Sequence, residues 1–311
     1  MRTILFEFLS FVFCISVSAQ NPIIRNVYTA DPSARVFNDT LYLYPSHDRD
    51  SAKWWDMVDW HVFSTTDMIK WEDHGVALSL VDIKWATKYA WAPDCNYKNG
   101  KYYFYFPTDQ NFIGVAVSKS PVGPFIDTLG RPLIDRNTSG VVNNRDLIDP
   151  CIFIDDDGIP YLFFGQNTVN VAILNDDMIS LKGPVQIIKG TDDFFEAVWV
   201  HKYNGKYYIS YSGKGKILYA MADHVLGPYQ YKGVILDQVN SGTNHHSIVN
   251  YKGEWYIFFH TSDLALSKIP KGDPDRKYVQ WRRSVCFEHL YYNDDGTIQK
   301  VSRSIGGITN N

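Results

Sequence analysis

Apolar and polar residues alternate over short segments of this chain, and the same arrangement occurs five times. Each copy reads as a short strand, a tight polar turn and a second strand rich in tyrosine and phenylalanine. The turns contain Asn38-Asp39, Asn99-Gly100, Asp157-Gly158, Asn204-Gly205 and Lys252-Gly253. Asn-Gly and Asp-Gly between alternating segments are typical of β-hairpins, because both central residues of a type I′ turn need a positive φ. The pattern therefore predicts five hairpins.

The hairpins follow one another at intervals of about 50 to 60 residues, with no helical pattern evident between them. A strand-only repeat of that kind is typical of a β-propeller, in which each repeat forms one blade around a central axis. The sequence therefore predicts an all-β fold, a five-bladed β-propeller.

Four ionisable residues hold nearly the same position in their repeats. Asp31, Asp149, Glu196 and His245 each precede the hairpin turn of a different repeat by eight or nine residues. The first strand of a propeller blade lines the axis, so equivalent positions in different blades converge on one point. We therefore expect three carboxyl groups and one imidazole at one mouth of the axis, which is a candidate catalytic site.

The net charge and the aromatic content of the chain limit the kinds of molecule that it is expected to bind. The net charge of −4 argues against nucleic acid or an anionic membrane as partner, since both attract basic proteins. Aromatic residues make up 15% of the chain. Most of them suit twisted strands and blade interfaces, and a sugar-binding site would use the remainder.

The first 19 residues have the layout of a secretory signal peptide. Arg2 is followed by an apolar run from Phe8 to Val17 and by the small residue Ala19. No later stretch is apolar enough over the length of a membrane span. We expect residues 20–311 to form a single propeller domain that is exported to the periplasm or the extracellular medium.

The cysteines outside that segment show no metal-binding or disulfide spacing. Cys95, Cys151 and Cys286 are three in number and widely separated. An odd count without a spacing pattern argues against a disulfide framework or a zinc site. We expect buried free thiols.

A long connection after the first hairpin is a second candidate functional segment. The stretch 46–59 contains His47, Asp48, Trp54 and Trp55, and loops of that length are often functional. It either covers the pocket or packs against the blade edge. We expect His47, Trp54 and Trp55, together with Trp91 of the second repeat, to contact a substrate.

The motifs that open the repeats resemble glycoside hydrolase family 43, whose five-bladed propellers trim arabinose and xylose from plant polysaccharides. The resemblance spans roughly residues 22–305. It rests on five short motifs in order: Ala30-Asp31-Pro32-Ser33, Trp91-Ala92-Pro93-Asp94, Ile148-Asp149-Pro150, Phe195-Glu196-Ala197 and Asn244-His245-His246-Ser247.

The resemblance implies a role for each matching residue. Asp31 would be the general base, Glu196 the general acid, and Asp149 the carboxylate that orients the acid and raises its pKa. Arg283 would reach the sugar site from the last blade. His245 would lie near the axis beside a bound calcium or a water cluster, with His246 as the alternative because Asn244 stands where relatives often have Gly. No organic cofactor is implied.

These roles match the chemistry of glycoside cleavage. One carboxylic acid protonates the leaving oxygen, and an ionised carboxylate activates water on the opposite face of the sugar in an inverting enzyme. Asp31 and Glu196 come from the first and fourth repeats, and non-adjacent blades leave room for that water. Asp149 comes from the repeat next to that of Glu196, and a nearby like charge raises a carboxyl pKa.

The leading hypothesis is an exo-acting inverting hydrolase that releases L-arabinofuranose, or alternatively D-xylose, from hemicellulose or pectin oligosaccharides. Endo-arabinanase activity on the same fold is the first alternative. A non-catalytic carbohydrate-binding propeller is the second, although it would have no use for an acid–base pair. A scaffold propeller for protein partners is the least favoured.

Overall fold

The strands of this chain group into five antiparallel sheets, each built from consecutive segments of sequence. The computed structural model describes residues 21–304. The predicted signal peptide, residues 1–19, therefore lies outside the described residues. Within each sheet the strands pair in chain order, which is the arrangement of a propeller blade.

Each blade occupies one stretch of the chain. Blade 1 comprises β1 (Tyr28–Phe37), β2 (Thr40–Asp48), β3 (Asp59–Thr65) and β4 (Glu72–Ser79). Blade 2 comprises β5 (Asp94–Lys98), β6 (Lys101–Thr108), β7 (Phe112–Ser118), β8 (Ile126–Asp127) and β9 (Ile134–Asp135). Blade 3 comprises β10 (Cys151–Ile154), β11 (Pro160–Phe164), β12 (Asn170–Ile173) and β13 (Gln186–Ile187). Blade 4 comprises β14 (Glu196–Tyr203), β15 (Lys206–Gly213), β16 (Lys216–Ala222) and β17 (Gln230–Leu236). Blade 5 comprises β18 (His246–Tyr251), β19 (Glu254–Thr261) and β20 (Ser284–His289).

The first strand of every blade faces the axis. β1 contacts β5 and β18, β10 contacts β5 and β14, and β14 contacts β18, so the five first strands form a closed ring. The predicted five-bladed propeller is confirmed. Apolar side chains fill the spaces between blades, with Trp60 and Phe104 between blades 1 and 2 and Leu43 and Phe258 between blades 1 and 5.

Four of the five predicted hairpins have two-residue turns in the expected conformation. At Asn99-Gly100, for example, φ is 50° and 79°, and Lys98 pairs with Lys101 directly across the turn. The Asp157-Gly158 hairpin differs, because Ile154 pairs with Pro160 and residues 155–159 form the loop. Pro160, which begins β11, has no N–H to donate to the opposite strand. Within the loop, the Gly158 N–H donates to the Asp155 carbonyl at 2.8 Å and closes the turn.

Short helices lie in the connections, where the sequence pattern indicated none. An α-helix (Asp263–Lys268) and a 3₁₀ helix (Pro274–Trp281) separate β19 from β20, and a 3₁₀ turn (Leu80–Asp82) follows β4. The third strand of blade 5 consequently begins only at Ser284. Helices this short depend on tertiary packing and leave too few periodic positions to be recognised.

The three cysteines of the described residues are buried free thiols, as predicted. Burial raises the pKa of the Cys151 thiol to about 12. Its thiol is therefore unreactive at neutral pH.

Among residues 21–304, no helix combines the length and the apolar character needed to cross a bilayer.

The segment that runs from Asn21 to the start of β1 closes the ring. The Ile23 N–H donates to the Val285 carbonyl and the Thr29 N–H donates to the Arg283 carbonyl, both at 2.9 Å. Blade 5 has only three strands of its own, so this segment covers the outer side of β20. The two ends of the described chain are thereby joined in one blade, which protects an edge that would otherwise be open.

Asn21 anchors this closure, and its removal should lower stability. Its side chain donates to the Phe287 carbonyl and accepts from the Phe287 N–H, both at 2.9 Å. Each buried polar group left without a partner costs roughly 1–3 kcal/mol, so Asn21→Ala should lower the free energy of unfolding by about 2–4 kcal/mol. Urea denaturation measures this. Asn26→Ala, at an exposed position of the same segment, should change it by less than about 0.5 kcal/mol, and equal effects of the two variants would refute the anchoring role.

Candidate active site

The three carboxylates of the predicted site lie at irregular points of the inner strands. The β1–β2 register shifts between Ala30 and Ser33, and the β14–β15 register shifts just after Glu196. Asp31 has φ 49°, Asp149 has φ 56° and Ala197, next to Glu196, has φ 61°. A bulge redirects a side chain that the regular pleat would otherwise send into a blade interface. This local strain turns the carboxyl groups toward the axis, and non-glycine residues at positive φ are concentrated at functional sites.

These carboxylates share one cavity at an end of the axis. Its volume is about 230 Å³. Of the sequence-predicted site residues, the cavity is lined by Asp31, Trp54, Trp55, Trp91, Asp149, Glu196, His245 and Arg283. The long connection after β2 therefore contributes Trp54 and Trp55 to the wall of the pocket.

Asp31 is held in a dense set of hydrogen bonds. Arg283 Nη1 donates to Asp31 Oδ1 at 2.8 Å, and Ser46 Oγ donates to Oδ2 at 2.5 Å. The backbone N–H of Asp31 donates to His260 Nδ1 at 3.0 Å. His260 Nε2 lies 2.9 Å from the Thr243 carbonyl, so we assign its proton to Nε2.

Asp31 is ionised at neutral pH. Burial alone would raise the pKa of its carboxyl group, but the Arg283 charge, with the Ser46 hydrogen bond and the neighbouring histidines, lowers that pKa to about 2. Burial lowers the pKa of His260 to about 3, so His260 is neutral. Its 3.4 Å approach to Asp31 Oδ1 is therefore not an ion pair, and Arg283 is the main source of the stabilisation.

Arg283 is committed to two carboxylates. Besides Asp31 it binds Asp48 through Nε at 2.8 Å and Nη2 at 2.9 Å, and its side chain is only 1% exposed. Nη1 also donates to Thr243 Oγ1 at 3.0 Å. Sequence analysis expected Arg283 to contact the sugar, and the structure gives it a second task, which is to orient Asp31.

Glu196 has the opposite electrostatic environment. Burial first and the charge on Asp31 second raise its pKa to about 7, although Gln166 opposes the shift by donating to Oε2 at 2.9 Å. Sequence analysis attributed the raised pKa of Glu196 to Asp149, and the two carboxyl groups do interact electrostatically. Glu196 is thus poised to hold a proton near neutral pH.

Asp149 is strongly linked to Glu196. Burial and the charges of Glu196 and Asp31 raise the pKa of Asp149 well above its ordinary range. Its Oδ2 accepts the N–H of Ala197 at 2.7 Å, which ties it to the residue that follows Glu196. Two buried carboxyl groups in this relation titrate together, so the protonation of Asp149 depends on that of Glu196.

His245 lies in the same pocket, while His246 points away from it. His246 Nε2 contacts Ser210 Oγ of blade 4 at 2.6 Å. Both ring nitrogens of His245 are buried without a hydrogen-bond partner among the described residues, and Nε2 lies 3.7 Å from Asp149 Oδ2. Burial lowers the pKa of His245 to about 4, so a neutral imidazole with a free lone pair faces the cavity.

His47 is not part of the cavity lining. Its Nδ1 lies 2.6 Å from Asp59 Oδ1, and its ring lies 4.4 Å from that of His61 between centroids. It belongs to β2 and not to the connection that follows, so it stays with the blade while Trp54 and Trp55 reach the pocket.

Sequence reasoning missed several residues of the pocket. Gln166 lies two residues after the end of β11, and Thr243 immediately precedes Asn244-His245. Both line the cavity, as do Gln110, Arg145 and Asp146. A polar residue at or shortly after the end of a blade's second strand was the available signal, since Asp48 ends β2 and Gln166 lies two residues after β11. The long connections that carry the others have no recurring pattern.

The arrangement provides an ionised carboxylate and a protonatable carboxyl group in one small cavity with aromatic walls. Indole faces suit the apolar faces of sugar rings, and the pair of carboxyl groups suits acid–base cleavage of an acetal. No such division of charge is needed merely to bind a sugar.

Comparison with known proteins agrees with this chemistry. Residues 19–298 match the family model described as glycosyl hydrolases family 43. The chain is 38% identical to the xylosidase/arabinosidase 43A of Humicola insolens, over 89% of this chain and 98% of that protein.

Two solved structures are similar over most of their length. An α-L-arabinofuranosidase from Clostridium thermocellum is 41% identical, with a TM-score of 0.77 and coverage of 93% of this chain and 98% of that one. A β-xylosidase/α-arabinofuranosidase from a compost microbial metagenome, solved with xylotriose in a calcium-free form, is 37% identical, with a TM-score of 0.79 and coverage of 91% and 97%. The chain therefore belongs to glycosyl hydrolase family 43 and is a glycoside hydrolase.

Proposed function

We propose that the protein is an exo-acting, inverting hydrolase that releases L-arabinofuranose, or alternatively D-xylose, from the ends or side chains of hemicellulose or pectin oligosaccharides. The observation that carries the proposal is the division of charge in the pocket. The pKa of Asp31 is held at about 2 and that of Glu196 is raised to about 7. Between these values, one carboxyl group is ionised and the other protonated, as the acid–base reaction requires.

The dimensions of the pocket favour exo action. Its volume of about 230 Å³ lies below the roughly 300–1,000 Å³ that is usual for larger ligands, and it suits one sugar unit. An endo-arabinanase needs an open groove that passes several units across the carboxylates. The names of the similar proteins, which combine xylosidase with arabinosidase or arabinofuranosidase, support a pentose as the released sugar.

In the proposed mechanism, Glu196 donates its proton to the glycosidic oxygen as the bond to the anomeric carbon breaks. Asp31 accepts a proton from a water molecule that attacks the opposite face of the sugar. Arg283 and Ser46 hold the Asp31 carboxylate in one orientation, so little reorganisation is needed during the reaction. Asp149 titrates together with Glu196. Its carboxylate also accepts the backbone N–H of Ala197, the residue after Glu196.

Two side chains near the axis, Asp149 and His245, offer atoms that could bind a calcium ion. Calcium prefers oxygen ligands, and the buried carboxylate of Asp149 lies beside a His245 ring whose nitrogens lack partners. His245 would hold the ion through one ring nitrogen or through water. A bound cation would favour the ionised forms of the nearby carboxyl groups.

We also propose that the protein is exported. Support comes from Arg2, the apolar run 8–17 and Ala19, which have the layout of a signal peptide. Export agrees with substrates that are fragments of polysaccharide.

A leaving-group series tests the roles of Asp31 and Glu196. Glu196→Ala should lose activity on natural oligosaccharides by at least 100-fold yet largely retain it on dinitrophenyl glycosides, whose leaving group needs no proton. Asp31→Ala should lose both, because the attacking water is no longer activated. Initial rates on the two substrate classes measure the difference, and equal losses in both variants would contradict the assignment.

The stereochemistry of the product tests the inverting mechanism. Proton NMR of the unmodified enzyme should show the inverted anomer of the pentose at the earliest time point, because Asp31 acts through water and forms no covalent bond. Early appearance of the retained anomer would instead make one of these carboxylates a nucleophile.

The alkaline limb of the pH profile should depend on Asp149. Activity requires protonated Glu196, so kcat/KM should fall as pH rises through about 7. Asp149→Asn keeps an oxygen for the Ala197 N–H but removes a like charge, which should lower the pKa of Glu196 and move this limb to lower pH. An unmoved limb in an active variant would exclude Asp149 from tuning the acid.

The acidic limb should depend on Ser46. Activity requires ionised Asp31, whose lowered pKa confines the loss of activity to strongly acidic solution. Ser46→Ala removes a hydrogen bond to the carboxylate and should move this limb to higher pH. Ser33→Ala serves as the control, since Ser33 is also buried but donates to Asp94 at 2.5 Å. The same displacement in both variants would assign the effect to general loosening of β1.

A further inference from the structure

A second cluster of titratable side chains lies on blade 1, separate from the catalytic pocket. It consists of His47 on β2 with Asp59 and His61 on β3, and one donor atom from each lies within 4.8 Å of the others. Asp59 and His61 are two residues apart on one strand and therefore face the same side of the sheet. His47 lies opposite Asp59, because it continues the register of the Ser46–Trp60 pair. The regular pairing of β2 with β3 therefore brings these three side chains together on one face of the sheet.

The distances suit a small metal ion. Asp59 Oδ1 lies 2.6 Å from His47 Nδ1 and 4.0 Å from His61 Nε2. A tetrahedral ion with bonds of roughly 2.0–2.1 Å keeps its ligand atoms about 3.3 Å apart, a value that these two distances bracket. Side-chain exposures of 21% for His47, 18% for Asp59 and 12% for His61 leave a route for an ion to enter.

One imidazole of the cluster is not satisfied by the protein. His61 Nδ1 is buried and has no hydrogen-bond partner among the described residues. It faces Asp73 Oδ1 at 3.6 Å, and Asp73 is itself held by the Gly75 N–H at 2.8 Å and by Asn26 Nδ2 at 3.1 Å. A carboxylate behind the second nitrogen of a histidine is the usual outer support of a metal-bound imidazole. The other ring nitrogen, Nε2, lies 4.0 Å from Asp59 Oδ1.

The electrostatic environment also favours a cation. Burial opposes the charge on His47, but Asp59, with Asp48 and Asp50 nearby, raises the pKa of His47 above its ordinary value. The charge of His47 contributes to lowering the pKa of His61, after burial. The carboxylate of Asp59 lies between the two imidazoles, at 2.6 Å from His47 and 4.0 Å from His61, and supplies a negative charge at the point where a cation would bind.

We propose that His47, Asp59 and His61 form a binding site for a divalent transition-metal ion of the zinc type, with water in the fourth position. Two imidazoles and one carboxylate favour zinc or its neighbours over calcium, which prefers oxygen. His47 and Asp59 bracket the connection 49–58 that carries Trp54 and Trp55 to the pocket. The ion would therefore close the base of that connection.

Zinc binding to untagged, chelator-treated protein tests the site. Titration calorimetry should show one saturable zinc ion per chain, and zinc should raise the Tm while calcium at the same concentration should not reproduce the effect of zinc. His61→Gln and Asp59→Asn should each weaken zinc binding by at least tenfold. Asp73→Asn should weaken it by roughly tenfold, as loss of an outer support does. His224→Gln, at an exposed histidine elsewhere, should bind zinc as the unmodified protein does.

Three results would overturn the proposal. They are the absence of saturable binding tighter than about 100 μM, binding that is equally tight in His61→Gln, and binding that is lost in Glu196→Gln but kept in His61→Gln. The last result would assign the zinc to the catalytic pocket. Circular dichroism checks that each variant is folded, and if His61→Gln does not fold, Asp59→Asn provides the same comparison.

Discussion

The buried ion pairs of Arg283 connect the closure of the propeller to its chemistry. The guanidinium lies between Asp48 at the end of β2 and Asp31 on β1, while its own backbone accepts from Thr29 in the closing segment. Blade 5 is therefore fastened to blade 1 by the group that sets the pKa of Asp31. Removing one partner of such a buried pair typically costs about 3–5 kcal/mol. The planar guanidinium of an arginine carries several N–H donors in fixed directions and can therefore bind two carboxylates at once. The single ammonium group of a lysine lacks this geometry and would not replace it.

Burial acts in the same direction on all three carboxyl groups of the pocket, and their neighbours make the difference between them. Asp31, Asp149 and Glu196 are all nearly inaccessible to water, and burial alone raises a carboxyl pKa. Among residues 21–304, Asp31 is the only one of the three with an arginine or lysine in direct contact, and it becomes the ionised member. Glu196 binds the neutral side-chain amide of Gln166, and burial together with the negative charge of Asp31 raises its pKa. Glu196 therefore becomes the protonated one. The position of one guanidinium thus separates an ionised carboxyl group from a protonatable one in a common cavity.

Another part of the inner ring has a structural role. Asp94, the last residue of the Trp-Ala-Pro-Asp motif, accepts from Ser33 at 2.5 Å, from Arg35 Nε at 2.9 Å and from the Ile152 N–H at 2.7 Å. It therefore joins the first strands of blades 1, 2 and 3. Arg35 also lies over the Trp199 ring of blade 4 at 4.2 Å. Asp94 resembles the three carboxylates of the pocket in sequence context, but it is absent from the cavity lining.

The sequence by itself determined the five hairpins, the blade count and the inner-strand positions of the acidic residues. Those features depend on local rules, namely positive φ at Asn-Gly turns and two-residue alternation along strands. Only the tertiary structure decided which polar groups meet. The bulges that turn Asp31 and Glu196 inward, the choice of His245 over His246, and the position of His47 outside the pocket depend on contacts between blades. Gln166 and Thr243 enter the site from distant segments, and the pKa values follow from burial and from Arg283, which no local pattern records.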